Sequence, residues 1–271
     1  MGSVLVCYSG GIDSAFVLAV AHRVLAERCV GMTAVSPSLA PFELEDAVHI
    51  ARGIGARHEL VDSHEIENEA YAKNDVDRCF HCKSELYRIS AKKRLEWDLA
   101  HVLNGTNLDD LGDYRPGLEA AKEAGARSPL VEANLTKADV RALAQAIGLG
   151  VWDKPAAACL SSRLPYGTRV TRERLAQIGS LEAELHALGI RQARVRWHAS
   201  NAETPLAATK DVTIARIEVA RDEMPRAFDA KEAIVAAGKR LGFAYVTLDL
   251  GGYRTGSHNE VLKRRSLSVI R

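Results

Sequence analysis

The sequence predicts an α/β protein, a doubly wound parallel sheet followed by a second, smaller α+β domain. Three observations carry that expectation. Short apolar runs alternate with helix-length segments through the first half of the chain. A glycine turn, Ser9-Gly10-Gly11, joins the first apolar run to the first helical segment. After Gly148-Leu149-Gly150 the alternation gives way to one long helical period and strands of alternating character. The boundary is drawn at residue 160, giving domains 1–160 and 161–271.

Taken in order, the strand candidates are Leu5 to Cys7, Val30 to Val35, His58 to Val61 and Val102 to Asn104. Helical patterns lie between them at Ile12–Leu25, Pro41–Gly53 and Cys82–Trp97. Pro41 suits a first helical turn, Glu43, Glu45 and Asp46 favour its positive end, and Gly53 or Gly55 can stop it. Pro129–Val131 reads as a further strand, and Lys137–Ile147 as a helix capped by Thr136. In the second half, Leu175, Ile178, Leu181, Leu185 and Leu188 recur at helical spacing. Period-two alternation then puts Arg194, Arg196 and His198 on one face and Val195 and Trp197 on the other. Val212 to Ala220 alternates likewise, with Thr213, Ala215, Ile217 and Val219 opposite Arg216 and Glu218. A helix at Ala230–Leu241 and a strand at Tyr245–Leu250 complete this domain.

The chain's 271 residues can bury a real core, and 47% hydrophobic with 26% charged residues is an ordinary soluble composition. A net charge of +1 argues against a protein built as a whole around nucleic-acid phosphates, so no nucleic-acid partner is expected. No apolar run reaches the ~20 residues of a membrane span, and the chain reads as cytoplasmic. Five cysteines, an odd number, disfavour a closed disulfide framework.

Strand, glycine turn and helix start together make an anion site, where exposed N–H groups and the positive helix end face the guest. Ser9 and Ser14 add hydroxyls, so a nucleotide phosphate is the natural occupant; the competing reading is a turn whose glycines serve geometry alone. The loop lacks the lysine of a Walker motif. The polar stretch Asn104 to Gly117 follows the fourth strand at the same sheet edge. There Gly105 and Thr106 are expected beside the nucleotide, and Asp13 with Asp109 or Asp113 are the candidate Mg²⁺ ligands, against the alternative of a solvated turn. Arg194, Arg196 and Arg216 on one face suit an anionic substrate, since guanidinium takes phosphate and carboxylate in bidentate fashion; a merely solvated face is the alternative.

Cys7 and Cys29 read as small core residues. In Arg78-Cys79-Phe80-His81-Cys82-Lys83 three readings stay open: a structural or redox pair, metal ligation with Cys159 as third thiolate, or plain helix-start residues. Cys159, in Lys154-Pro155-Ala156-Ala157-Ala158-Cys159-Leu160-Ser161-Ser162-Arg163, is the more telling cysteine. Small residues flank it, and Lys154 and Arg163 are expected to favour its thiolate.

Ser9-Gly10-Gly11-Ile12-Asp13-Ser14 resembles the signature of the PP-loop (N-type) ATP pyrophosphatases, an adenine nucleotide alpha hydrolase-like fold whose members split ATP between the α and β phosphates. Together with the Cys79–Cys82 stretch, Gly105-Thr106-Asn107-Leu108-Asp109-Asp110-Leu111-Gly112-Asp113-Tyr114-Arg115-Pro116-Gly117 and Ala158-Cys159-Leu160-Ser161-Ser162-Arg163, it is similar to the LarE-type sulfur transferases. The similarity runs from Ser9 to Arg216–Val219. The resemblance implies ATP and Mg²⁺ as cosubstrates and a mononucleotide as substrate, the pyridinium biscarboxylate precursor of the nickel-pincer cofactor. It implies adenylation of a ring carboxylate, attack by a cysteine, and cleavage of that cysteine's Cβ–S bond to leave dehydroalanine. On these matches Cys159 is the sacrificial cysteine; Ser9, Gly10, Gly11, Asp13, Ser14, Gly105 and Thr106 bind ATP. Ser162, Arg163, Glu182, Arg194, Arg196, Arg216 and Glu218 are the substrate-site candidates. The family also implies a homo-oligomer. Some members hold a [4Fe–4S] cluster; a single cysteine in the Cys159 segment disfavours one here, while a three-thiolate site with Cys79 and Cys82 stays open. The alternatives are a PP-loop enzyme thiolating tRNA, an ATP-binding module without catalysis, and an amide-forming ligase.

Overall fold

The computed structural model describes residues 1–112, 116–155, 157–200 and 212–254. The chain divides into two compact units, Met1–Ala157 and Ala158–Arg271. The division falls slightly before the expected residue 160 and assigns Cys159 to the second unit.

The first unit contains strands β1 (Val4–Cys7), β2 (Cys29–Val35), β3 (Arg57–Asp62) and β4 (His101–Leu103), all parallel in the order β3-β2-β1-β4. Its helices are α1 (Ile12–Leu25), α2 (Pro41–Ile54), α3 (Glu69–Ala72), α4 (Arg78–Glu96), α5 (Pro116–Glu123), α6 (Pro129–Glu132) and α7 (Lys137–Ala146). β1 is apolar at every position because helices cover both its faces. Val4 and Val6 pack with Ile12, Ala15 and Leu18 of α1 and with Val140 and Ala144 of α7. Leu5 packs on the other side with Val30, Met32 and Ile89. Cys29 lies within β2 and is buried, rather than just before it.

The helix limits follow the local chemistry. Pro41 opens α2, and Gly55 closes it at φ 80°, a left-handed position where a side chain is strained. Thr136 caps α7 as part of a reciprocal capping box with Asp139. α4 opens at Arg78, earlier than expected, so Cys79 and Cys82 both lie inside its first turns. The strand expected at Pro129–Val131 is instead the helical turn α6; Arg127, two residues earlier, makes the bridge to Leu103. Proline has no N–H for a ladder and fits the first turn of a helix, which decides the difference.

The second unit contains α8 (Arg172–Ala187), β5 (Ala193–Ser200), β6 (Val212–Val219), α9 (Met224–Asp229), α10 (Lys231–Arg240) and β7 (Tyr245–Leu248). β5 runs antiparallel to β6, and β7 lies parallel on the far side of β6. Leu175, Ile178, Leu181 and Leu185 of α8 are buried, as are Val195, Trp197, Ala215, Ile217 and Val219. Leu188 departs from the expected stripe: it follows the helix as its cap and is 36% exposed. β7 ends before Asp249, where a bend bonded through the Asp249 carboxylate replaces the last two expected strand residues. α9 has no counterpart in the sequence reading, its six residues being too short for a helical period to register.

Candidate active site

The glycine loop is built around hydroxyls and one tight contact. Ser14 Oγ donates to the Gly11 carbonyl, accepts from the Ser9 N–H, and stands 3.1 Å from Ser9 Oγ. Gly10 has φ 73°, and a Cβ there would come within 2.7 Å of Ala47 Cβ. Gly105 lies against the first turn of α1: a Cβ on it would meet the Ser14 nitrogen at 2.7 Å. The close backbone approach expected of Gly105 is thus made to the loop's own helix. Beside it, the Thr106 N–H donates to Asn104 Oδ1 at 3.0 Å, which also accepts from Ser128 Oγ.

Asp13 joins three parts of the first unit. Its Oδ1 accepts from Asn107 Nδ2 at 3.1 Å and its Oδ2 pairs with the Lys137 ammonium. Asp109 Oδ2 accepts from the Lys137 backbone N–H at 2.9 Å. Lys137 and Asn107 were not singled out in the sequence. A signal did exist: lysine as the first residue of α7 stands at the positive helix end, where an acid is preferred. Both candidate Mg²⁺ ligands therefore spend oxygens on protein donors. Among the described residues no three His, Cys, Asp or Glu side chains form a metal-holding group. Asp113 lies outside the described residues. Among the described residues none of the cysteines is in a disulfide; Cys79 is exposed, Cys82 partly exposed, and Arg78 Nη2 stands 3.9 Å from the Cys79 sulfur.

Lys154 is held within the first unit. Its ammonium is held by Glu43 at 2.9 Å and Asp46 at 2.8 Å, and these partners raise its pKa against the opposing effect of burial.

In the second unit Arg194, Arg196 and Glu218 of the charged face are buried, while the Arg216 side chain stays 38% exposed. Arg163 joins Glu182 through Nε–Oε1 at 2.8 Å and Nη2–Oε2 at 3.0 Å. Glu182 Oε1 also accepts the Val195 N–H at 2.9 Å, tying α8 to β5. Arg196 joins Glu218 Oε2 through Nε at 3.0 Å and Nη2 at 2.8 Å, and Arg216 reaches Glu218 Oε1 at 3.2 Å and the Asp249 carboxylate. Register alone puts Arg194 opposite Glu218 and Arg196 opposite Arg216. Arg194 lies over the Tyr253 ring, 5.3 Å from its centroid. Burial, and after it the Arg163 charge, holds the Arg194 guanidinium below its ordinary pKa. Burial also lowers His198, whose Nε2 accepts from Arg216 Nε at 3.2 Å.

Cys159 is exposed and sits beside this network. Arg163 Nη1 donates to the Ala158 carbonyl at 2.7 Å, to the Cys159 carbonyl at 3.0 Å and to Ser162 Oγ at 3.0 Å. Ser162 Oγ donates to the same Cys159 carbonyl, and Arg196 Nη1 donates to the Ser162 carbonyl at 2.9 Å. The structure therefore brings Cys159, Ser162, Arg163, Glu182, Arg194, Arg196, Arg216 and Glu218 into one connected group. No family model matches the chain. A pyridinium-3,5-bisthiocarboxylic acid mononucleotide synthase of Lactiplantibacillus plantarum is 36% identical to it over 268 residues, 98% of this chain and 92% of that protein. The chain belongs to the LarE-type sulfur transferase family. A Synechocystis protein without a functional name is 44% identical to this LarE-type chain over 262 residues, 96% of the chain. One from Methanocaldococcus jannaschii is 27% identical over 252 residues. These matches span between 93% and 98% of the LarE-type chain.

Proposed function

We propose that this protein is an ATP-dependent sulfur transferase that converts a carboxylate of pyridinium-3,5-biscarboxylate mononucleotide to a thiocarboxylate, with Cys159 as the sulfur source. A carboxylate resists nucleophiles because it is anionic and its oxygen leaves poorly. Attack of its oxygen on the ATP α phosphate forms an acyl-adenylate and releases pyrophosphate. The Cys159 thiolate then displaces AMP and forms a thioester. A base removes the Cys159 α proton, the Cβ–S bond breaks toward sulfur, and the thiocarboxylate leaves with dehydroalanine at position 159.

The residues divide this work. The Ser9–Ser14 loop, with Gly105 and Thr106 beside it, receives the nucleotide. Ser162, Arg194, Arg196 and Arg216 supply donors for carboxylate and phosphate, Arg163 holds the Cys159 end of the substrate site, and Glu182 and Glu218 hold the guanidiniums in place. The observation that carries this reading is the Arg163 clamp: one buried guanidinium joins an acidic partner in the core to the carbonyl of an exposed cysteine.

Intact-mass analysis tests it. Incubation with ATP, Mg²⁺ and the biscarboxylate mononucleotide should remove about 34 Da from the protein, one H₂S equivalent located at Cys159. Thiolated product formed with the protein mass unchanged would assign the sulfur to another donor. Replacing the acid with tRNA or nicotinate mononucleotide should give no pyrophosphate release above background.

A further inference from the structure

The loop that receives ATP carries no lysine, yet a lysine stands at it. Lys137 is remote in sequence, and its ammonium pairs with Asp13, inside the Ser9–Ser14 loop. Its position is fixed from both ends. The Lys137 N–H donates to Asp109 Oδ2 at 2.9 Å, the capping box of Thr136 and Asp139 pins the turn, and the Leu108 N–H donates to the Leu135 carbonyl. The other Asp13 oxygen is held by Asn107. The Lys137 side chain is 33% exposed, so its ammonium is neither sealed in a core nor loose at the surface.

The charge placement makes little sense as packing. A lysine at the first position of a helix opposes the helix dipole, and a partly exposed ion pair contributes little stability in return. It does fit the chemistry. Cleavage between the α and β phosphates puts new negative charge on the oxygen that departs with pyrophosphate, and a nearby ammonium stabilises it. Lysine's compact charge carries three donors on a flexible stem and can turn from a carboxylate to a phosphate without moving the backbone.

We propose that Lys137 is the polyphosphate-binding cation of this site, resting on Asp13 in the free protein and turning to the β and γ phosphates of ATP, then to the departing pyrophosphate. The proposal rests on the reading that the loop binds ATP. It makes Lys137 a spatial substitute for the lysine that the loop's own sequence omits. Asp13 holds it in reserve, so the empty loop carries no bare positive charge.

Binding measurements on the full chain test it without any acid acceptor. At fixed Mg²⁺, Lys137→Met should weaken ATP and inorganic pyrophosphate by about ten- to a hundredfold, while AMP changes less than about twofold. Lys137→Arg keeps the charge and should recover most of the ATP affinity. An equal loss for AMP and ATP, or no loss for either, would overturn the assignment; so would a methionine variant whose ATP affinity matches wild type. If Lys137→Met discriminates ATP from AMP as stated but wild type releases no pyrophosphate with the pyridinium acid, the sulfur-transfer reading fails while this one stands.

Discussion

Arg163 and Glu182 meet side by side through two parallel bonds, with both side chains almost wholly removed from water. Such a pair costs several kcal/mol to desolvate and stands only because its remaining donors and acceptors are also used. Here they are, by the carbonyls of Ala158 and Cys159 and by the Val195 N–H. Arg163→Met leaves a buried carboxylate unpaired and should destabilise the second unit by about 3–5 kcal/mol. Arg163→Met with Glu182→Leu should regain most of that. Urea unfolding followed through Trp197, which lies in β5, measures both. A single variant as stable as wild type would mean the pair does not hold the unit together.

The two glycines at the loop make a sharper prediction. Gly10→Ala meets Ala47 at 2.7 Å from a positive φ, and Gly105→Ala drives a methyl into the Ser14 nitrogen at 2.7 Å. Backbone, not a flexible tip, must yield in both. Each substitution should lower ATP affinity at least tenfold, while Gly53→Ala, with open space around it, changes ATP binding by less than twofold. Isothermal titration with ATP decides; equal affinities across the three would dissociate loop geometry from binding.

Much of this was readable beforehand. β1 and the glycine turn announced themselves through an uninterrupted apolar run and a serine-flanked pair of glycines. That Arg194 and Arg196 share one face followed from period two alone. What stayed hidden was pairing across long sequence distance. Nothing local says that Lys137 meets Asp13, that Lys154 is held by Glu43 and Asp46, or that Glu182, one acid among the leucines of α8, faces Arg163. Alternation also cannot tell a solvated charged face from a buried one. The difference lies in whether acids elsewhere supply partners. Short helices such as α6 and α9 fall below the length at which a period registers.

Acid should destabilise the fold through two histidines. Burial lowers the pKa of His58 against the pull of Glu59, and lowers that of His198 with help from Arg216. Both therefore bind fewer protons folded than unfolded. Their contribution is complete above the ordinary imidazole pKa of about 6.5 and is lost as pH falls from there toward the folded values. Thr33 Oγ1 donates to the Tyr8 carbonyl and so accepts from His58 Nε2, which fixes that tautomer. Melting temperature should fall between about pH 7 and pH 5, and His58→Gln should flatten the dependence. A profile unchanged in the variant would remove His58 from the account.

Thiol reactivity should follow position. Native maleimide labelling should modify Cys159 and Cys79 first, both exposed, and Cys82 more slowly. Cys29 is buried with its pKa pushed up to about 11 and should react only after denaturation, while Cys7, half-buried with its pKa raised by burial, should react more slowly than Cys159 and Cys79. Peptide mapping of a time course reads the order directly. Early label on Cys29 would contradict its place in β2.

The bonds that Arg163 Nη1 and Ser162 Oγ make to the Cys159 segment end on main-chain oxygens or on Ser162 rather than on the sulfur. Whatever chemistry occurs at that side chain leaves its mooring intact. Position 159 is in effect a socket, where a spent residue, a selenium analogue or a spectroscopic label can sit at the same address. A chain that has given up its sulfur would stay folded, so its dehydroalanine offers a ready electrophile for attaching a chosen thiol beside the arginine cluster.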